Sequence, residues 1–131
     1  MTYDFEVSDE IAAPASLIFD TWMSSAGHSA MTGGTAEIDP AIGRRFEAWD
    51  EYITGTTIAL EPGRRIVQSW RTTEFEADDV DSQIEVLLEP LGQGTRMTIC
   101  HTGVPSGQPA YEQNGWRENY FEPMQEYFSR Q

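Results

Sequence analysis

Residues 115–128, GWRENYFEPMQEYF, come shortly after HTGVPSG at 101–107 and decide how the chain folds. Trp116, Tyr120, Met124 and Tyr127 recur at offsets of four, eight and eleven, which puts them on one face of a helix. Phe121 and Phe128 widen that face. A terminal helix with so much aromatic surface must lie against something large, and nearly everything before it reads as β-sheet. Pro123 sits two turns into the helix. It removes the N–H that would bond the carbonyl of Asn119 and pushes Glu122 away from helical angles. Aromatic contacts on both sides then predict a continuous helix, kinked near residues 119–123.

Ahead of the helix, HTGVPSG reads as a strand ending in a Gly/Pro turn, followed by a polar loop. At the other end of the chain an opening strand points Phe5, Val7 and Ile11 to one side and stops at Ala13-Pro14. Pro14 suits a helix start, and Leu17, Ile18, Thr21 and Trp22 follow at helical spacing. Ser24-Ser25 offers an N-cap for a second short helix through Met31, closed by Gly33-Gly34. From Ala36 to Val104 the period changes to two. The runs AEID, GRRFEAWDEYITGTTIALEP, RRIVQSWRTTEF, SQIEVLLEPL and TRMTICHTGV are separated at 40–43, 61–63, 76–81 and 92–94. These are hairpin breaks, and they predict about six strands in an antiparallel meander. A sheet with one apolar face needs a cover, and the last helix is the long element left to provide it. The expected fold is α+β: one domain over 1–131, a curved antiparallel sheet of six to seven strands around a C-terminal helix, and two short helices after the first strand.

A chain of 131 residues buries a core without disulfide or metal staples. Its net charge of −14 rests on 22 acids and eight cationic residues, all arginine. Phosphate contacts need more Lys and Arg than that, so nucleic acid and anionic membrane are poor partners. Cys100 is the one cysteine, which fits a reducing compartment; in the segment MTIC it reads as inert packing. The alternating, acidic N-terminus suits a strand and not a signal peptide, and no apolar run approaches the ~20 residues that span a bilayer. The expected location is the cytoplasm.

Signs of catalysis are few. There is no nucleophile elbow, His-Glu-x-x-His motif or Walker loop. His28 reads as a surface residue of the second helix. His101 shares a strand face with Met97 and Ile99 if the alternation holds, opposite the final helix; it reads as a satisfied interior histidine, with a general-base role as the competing reading. No metal ligands cluster with it, so neither metal nor cofactor is expected. Asp78, Asp79 and Asp81 read as a solvated loop, and Glu118, Glu122 and Glu126 as a solvated helix face. The aromatic set remains. Phe46, Trp49, Trp70, Trp116 and Tyr120 can all point between sheet and helix, with Met124 beside them. Tyr52, Gln68 and His101 supply polar handles. Either this is ordinary core, or it is the lining of a small-molecule pocket.

The strings ITGTTIALEPGRRIVQSWR (53–71), QIEVLLEPLGQGTRMTICHTGVP (83–105) and GWRENYFEPMQEYF resemble the activator of heat-shock protein 90 ATPase homologue family. The likeness is to its C-terminal domain, within the helix-grip superfamily of START domains, birch-pollen-allergen-like proteins and polyketide cyclases. The Gly-Trp opening the last helix, the Trp-Arg of the middle strand and the Tyr-Phe-Glu inside the helix carry it together. The strings cover about half the chain. Two departures from the family pattern stand out: the preceding domain that makes the main chaperone contact in eukaryotic members is not matched, and Pro123 replaces a small residue. The resemblance implies a helix-grip fold more firmly than an activity.

Three functions follow. The first is a non-enzymatic binding protein holding a small hydrophobic or aromatic ligand, with Phe46, Trp49, Gln68, Trp70, His101, Trp116, Tyr120 and Met124 as its lining. The second is a chaperone-associated module, implied by the resemblance alone. The third is a cyclase or dehydratase using His101 or a pocket tyrosine. A monomer or homodimer suits each.

Overall fold

In the computed structural model residues 2–106 and 114–130 are described; the polar loop expected after the last strand lies mostly outside them. The strands are β1 (Thr2–Ile11), β2 (Glu37–Ile38), β3 (Arg45–Ala48), β4 (Ile53–Glu61), β5 (Arg65–Thr72), β6 (Ser82–Leu91) and β7 (Gly94–Pro105). They form one antiparallel sheet in the order β1-β7-β6-β5-β4-β3-β2. The expected meander runs from β2 to β7, and β1 then pairs with β7, so the edges are β1 and the two-residue β2.

Helices α1 (Ala15–Trp22) and α2 (Ser25–Thr32) follow β1 as expected. Pro14 precedes α1 at φ −64°, an angle its ring imposes. Ser24 caps α2, its hydroxyl accepting from the Gly27 N–H at 3.0 Å, and Gly33 ends it at φ +88°. The hydroxyl of Ser25 then accepts from the Ile38 N–H at 2.8 Å, tying α2 to β2.

The terminal helix departs from simple α geometry. Arg117–Phe121 is a π-helical segment, continued by α3 (Glu122–Ser129). The Glu122 N–H bonds the carbonyl of Arg117, five residues back. Trp116, Phe121 and Glu122 all have right-handed helical angles, so the backbone runs through Pro123 without a break. The continuity was expected, but the behaviour of Glu122 was not: at φ −65° and ψ −49° it is fully helical. The wider turn accommodates the proline, because extra residues per turn move the backbone carbonyl that its ring would press against.

A second difference lies at 49–51, inside a run that reads as one continuous strand. Trp49, Asp50 and Glu51 turn the chain at φ +54°, +56° and +70°, separating β3 from β4. Left-handed backbone costs an L-residue roughly 1–2 kcal/mol, so surrounding contacts must hold this turn. Asp50 supplies two of them, its N–H bonding the Thr35 carbonyl at 3.0 Å and its carboxylate accepting from the Thr35 N–H at 3.3 Å.

The core lies between one face of the sheet and the three helices. Ile66, Trp70, Ile84, Val86, Met97 and Ile99 from the strands meet Ile18 and Trp22 of α1, Met31 of α2, and Trp116, Tyr120, Phe121, Met124 and Phe128 of the last helix.

Candidate functional site

Alternation along β5 and β7 sends Gln68, Trp70, Met97, Ile99 and His101 inward, and every one is buried. Phe46 arrives from β3, while Trp116, Tyr120 and Met124 descend from the terminal helix. The structure thus brings together the residues singled out by sequence; Trp49 is half-buried and the other seven are fully enclosed. Trp70 is the hub. Its ring centroid lies 5.0 Å from Trp116, 5.9 Å from Phe46, 6.1 Å from Tyr120 and 6.3 Å from His101. Trp49 meets Tyr120 edge-on at 6.5 Å.

Three polar chains run through this ring layer. The Trp116 indole donates to His101 Nδ1 at 3.2 Å, His101 Nε2 lies 2.8 Å from the Ser82 hydroxyl, and that hydroxyl donates to the Trp70 carbonyl at 2.6 Å. With the hydroxyl hydrogen committed to a carbonyl, His101 must donate through Nε2 and accept through Nδ1. Both its nitrogens are occupied and it has no lone pair left for a substrate proton, so the interior-histidine reading prevails over the general base. Burial pulls its pKa down to about 3, keeping the ring neutral.

The second chain corrects the reading of His28. It is not at the surface but 1% exposed. Its Nδ1 donates to the Trp22 carbonyl and its Nε2 accepts from the Tyr120 hydroxyl, each at 2.9 Å. Burial lowers its pKa to about 4, the Trp22 hydrogen bond opposing the shift. Burial also raises the Tyr120 phenol above its ordinary range, with a hydrogen bond from the Trp49 indole to the phenol oxygen opposing the shift. In the third chain Gln68 accepts from the Trp22 indole at 3.1 Å and donates to the Thr57 hydroxyl at 3.2 Å.

Two sequence readings move outward. Tyr52 packs its ring against the core but directs its hydroxyl to Glu74, away from the ring layer. Cys100 is only half-buried, its sulfur 3.6 Å from Glu6 Oε1 on the outer face of the sheet. Burial first, then the charges of Glu6 and Glu85, push its pKa up, so it is a poor nucleophile. The acidic loop at 76–81 is more ordered than a solvated loop need be. Arg71 binds the carbonyls of Glu76 and Asp79, both at 2.7 Å, and lies over the Phe75 ring.

A feature that sequence reading missed is a cleft of about 440 Å³ where α1 and α2 face β2 and β4, lined by Phe19, Met23, Ile38, Pro40 and Leu60 with Asp20, Ser24 and Ser25 at its polar side. It backs onto the ring layer, for Ile38 pairs with Phe46 across β2 and β3 and the Met23 sulfur lies 3.8 Å from Gln68 Nε2. Among the described residues no three His, Cys, Asp or Glu side chains gather as a metal site.

The pattern of one family, described as "Activator of Hsp90 ATPase homolog 1-like protein", matches residues 12–129. The chain belongs to that family. Among curated relatives, the "Activator of 90 kDa heat shock protein ATPase homolog" of Dictyostelium discoideum is 24% identical over 98% of this chain, which covers 33% of that protein. An uncharacterised Schizosaccharomyces pombe protein is 22% identical over 97% of the chain, covering 38% of its own length. The chain therefore spans about a third of the length of the curated relatives it matches. Solved structures share the fold of this activator-homologue family. MLL2253 of Mesorhizobium loti superposes with a TM-score of 0.81 at 19% identity, 97% of each chain being covered. PFC0360w of Plasmodium falciparum, described as an HSP90 activator, gives 0.74 at 20% identity, with 98% of this chain and 91% of that one covered.

Proposed function

We propose that the protein binds a small, uncharged, largely apolar molecule, admitted at the α1–α2 cleft and seated against the aromatic layer between sheet and terminal helix. The observation that carries this reading is the cleft itself. Its 440 Å³ lies within the roughly 300–1,000 Å³ of small-molecule sites, and its apolar walls carry a few polar groups, the usual composition of such sites. Behind it stand Phe46, Gln68, Trp70, His101, Trp116, Tyr120 and Met124, with Trp49 at their margin, and both histidines are neutral. The neutral fluorophore N-phenyl-1-naphthylamine should bind with one-to-one saturation, and Leu60→Trp, which narrows the mouth, should weaken that binding at least tenfold. If the folded wild type saturates with no neutral apolar probe, the reading fails.

Family membership favours a second reading, a module that acts on heat-shock protein 90. Among the described residues the exposed large apolar side chains are Leu17, Ile42, Ile58, Val80 and Leu91, and of their segments only those of Ile42 and Ile58 are joined, by the Gly43 N–H bond to the Thr57 carbonyl, whereas a docking face concentrates such residues. Less than a twofold rise is therefore expected in the ATPase rate of a purified heat-shock protein 90 mixed with this chain at micromolar concentration. A several-fold rise would reverse the order of the two readings.

A further inference from the structure

We propose that residues 36–42 form a strap that gates the α1–α2 cleft: when the strap lets go of α2, Ile38 moves away from Phe46 and the cleft opens inward. The proposal rests on the ligand-binding reading and specifies how that site is entered. β2 is two residues long and forms an edge of the sheet. On one side Glu37 pairs with Glu47 and Ile38 with Phe46 of β3. On the other side no strand follows, and α2 serves in its place. The Ile38 N–H bonds the Ser25 hydroxyl at 2.8 Å, and that hydroxyl donates back to the Ile38 carbonyl at 3.2 Å. One helical turn on, the Ser29 hydroxyl accepts from the Ala36 N–H at 2.8 Å. Two serine side chains thus clasp the strap where a further strand would complete the ladder.

The strap is anchored at both ends and slack in between. Thr35 is tied to Asp50 by two hydrogen bonds, and the Gly43 N–H bonds the Thr57 carbonyl at 2.7 Å. Between these anchors the chain is wound into tight turns, the Ala41 N–H reaching the Asp39 carbonyl at 2.8 Å and the Arg44 N–H the Ala41 carbonyl at 3.2 Å. Unwinding them yields length, since an extended chain advances about 3.3 Å per residue. Gly43, at φ +84° with open space where a Cβ would stand, supplies a swivel. One pair works against the closed strap. Glu37 and Glu47 lie directly opposite each other, an arrangement that weakens strand pairing. Glu51 adds charge of the same sign, while Arg45, 3.8 Å from Glu47, offsets part of it. Ile38 is the wall that would move. It lines the cleft and stands beside Phe46 in the core, and the Phe46 ring is 5.9 Å from Trp70. A ligand entering this way needs no permanent channel.

A gate governs entry and exit alike, so altering it moves both rate constants and leaves affinity alone. Stopped-flow mixing of the full chain with N-phenyl-1-naphthylamine at neutral pH reads both. Glu37→Gln relieves the repulsion and should slow association and dissociation by about threefold or more, with Kd within about twofold of the wild type. Ser29→Ala removes half of the clasp and should speed both steps by a similar factor; it also serves should the first variant not fold. With no probe present, the Ala36 and Ile38 amides should exchange hydrogen faster than that of Val86 in the interior strand β6. Their exchange should slow in Glu37→Gln and quicken in Ser29→Ala. Probe rates unchanged in both variants, or an Ile38 amide as slow as that of Val86, would overturn the gate and leave the ligand-binding reading standing. Failure of the probe to bind the wild type would overturn both.

Discussion

Protonating His28 would place a hydrogen on Nε2, the atom that accepts from Tyr120, and protonating His101 would do the same at Nδ1, which accepts from Trp116. Both events break a tie between the terminal helix and the rest of the fold. The folded pKa values, about 4 and about 3, lie below the roughly 6.5 of an unfolded chain. Between those limits the unfolded state holds more protons, so stability is greatest above pH 6.5 and falls as the pH drops toward 4 for His28 and toward 3 for His101. The expected slope is about 1.4 kcal/mol per pH unit for each histidine. Urea midpoints measured from pH 7 to pH 5 should decline accordingly, and His101→Gln should have a shallower decline; an unchanged slope would show that His101 does not titrate on unfolding. Trp70→Ala should cost about 3–5 kcal/mol, measured the same way, because four ring contacts would be replaced by a void. The burial of His101 was legible in the Met97–Ile99–His101 alternation. That of His28 was not, because its neighbours in SAGHSAM are small or polar and trace no apolar stripe, and its partner lies 92 residues away.

At the scale of elements, the π segment and the turn at 49–51 each make a prediction. Pro123→Ala restores an N–H and removes the ring, so the terminal helix can settle toward regular i→i−4 bonding. A gain of about 1 kcal/mol is expected, with slowed amide exchange across 117–123. A loss would show instead that packing of Trp116 and Tyr120 imposes the wider turn. Glu51 is exposed at φ +70°. Glu51→Gly trades left-handed strain for chain entropy and should stabilise by about 0.5 kcal/mol. Gly55 is different: a Cβ there would lie 2.0 Å from the Ser69 carbonyl and 2.6 Å from the Phe46 ring, so Gly55→Ala should prevent folding, as loss of cooperative thermal unfolding would report. Strand order and both short helices were legible because period, caps and breaks agreed. The 49–51 turn was hidden because Trp-Asp-Glu contains none of the residues that favour left-handed angles most, apart from Asp50. The π segment was hidden because widening a helix by one residue leaves its apolar stripe nearly unchanged. The cleft was illegible for another reason: its walls come from α1, α2, β2 and β4, and only the assembled fold makes them neighbours.

For the molecule as a whole, charge is the dominant unspent term. Arg44, Arg45, Arg64, Arg65, Arg71, Arg117 and Arg130 each pair with a carboxylate, but 22 acids face eight arginines. Crowding is visible where Glu37 and Glu47 oppose each other across β2 and β3. The hydrogen bond that its protonated carboxyl donates to Glu37 first, then desolvation and the charge of Glu51, raise the pKa of Glu47. Screening should relieve such repulsion, so thermal midpoints at neutral pH should rise by about 3 °C or more between 10 mM and 0.5 M sodium chloride; a fall would mean that the arginine pairs outweigh the excess acids. The same excess acts on β1. This ten-residue strand is a free edge of the sheet, the feature by which β-proteins add copies of themselves into fibrils. Asp4, Glu6, Asp9 and Glu10 all lie along it. Two such edges meeting would set carboxylates against carboxylates, so the acids that strain the monomer also act as gatekeepers against its polymerisation. That guard is chemical, and acid removes it: once those carboxylates are protonated, nothing on β1 repels a second β1.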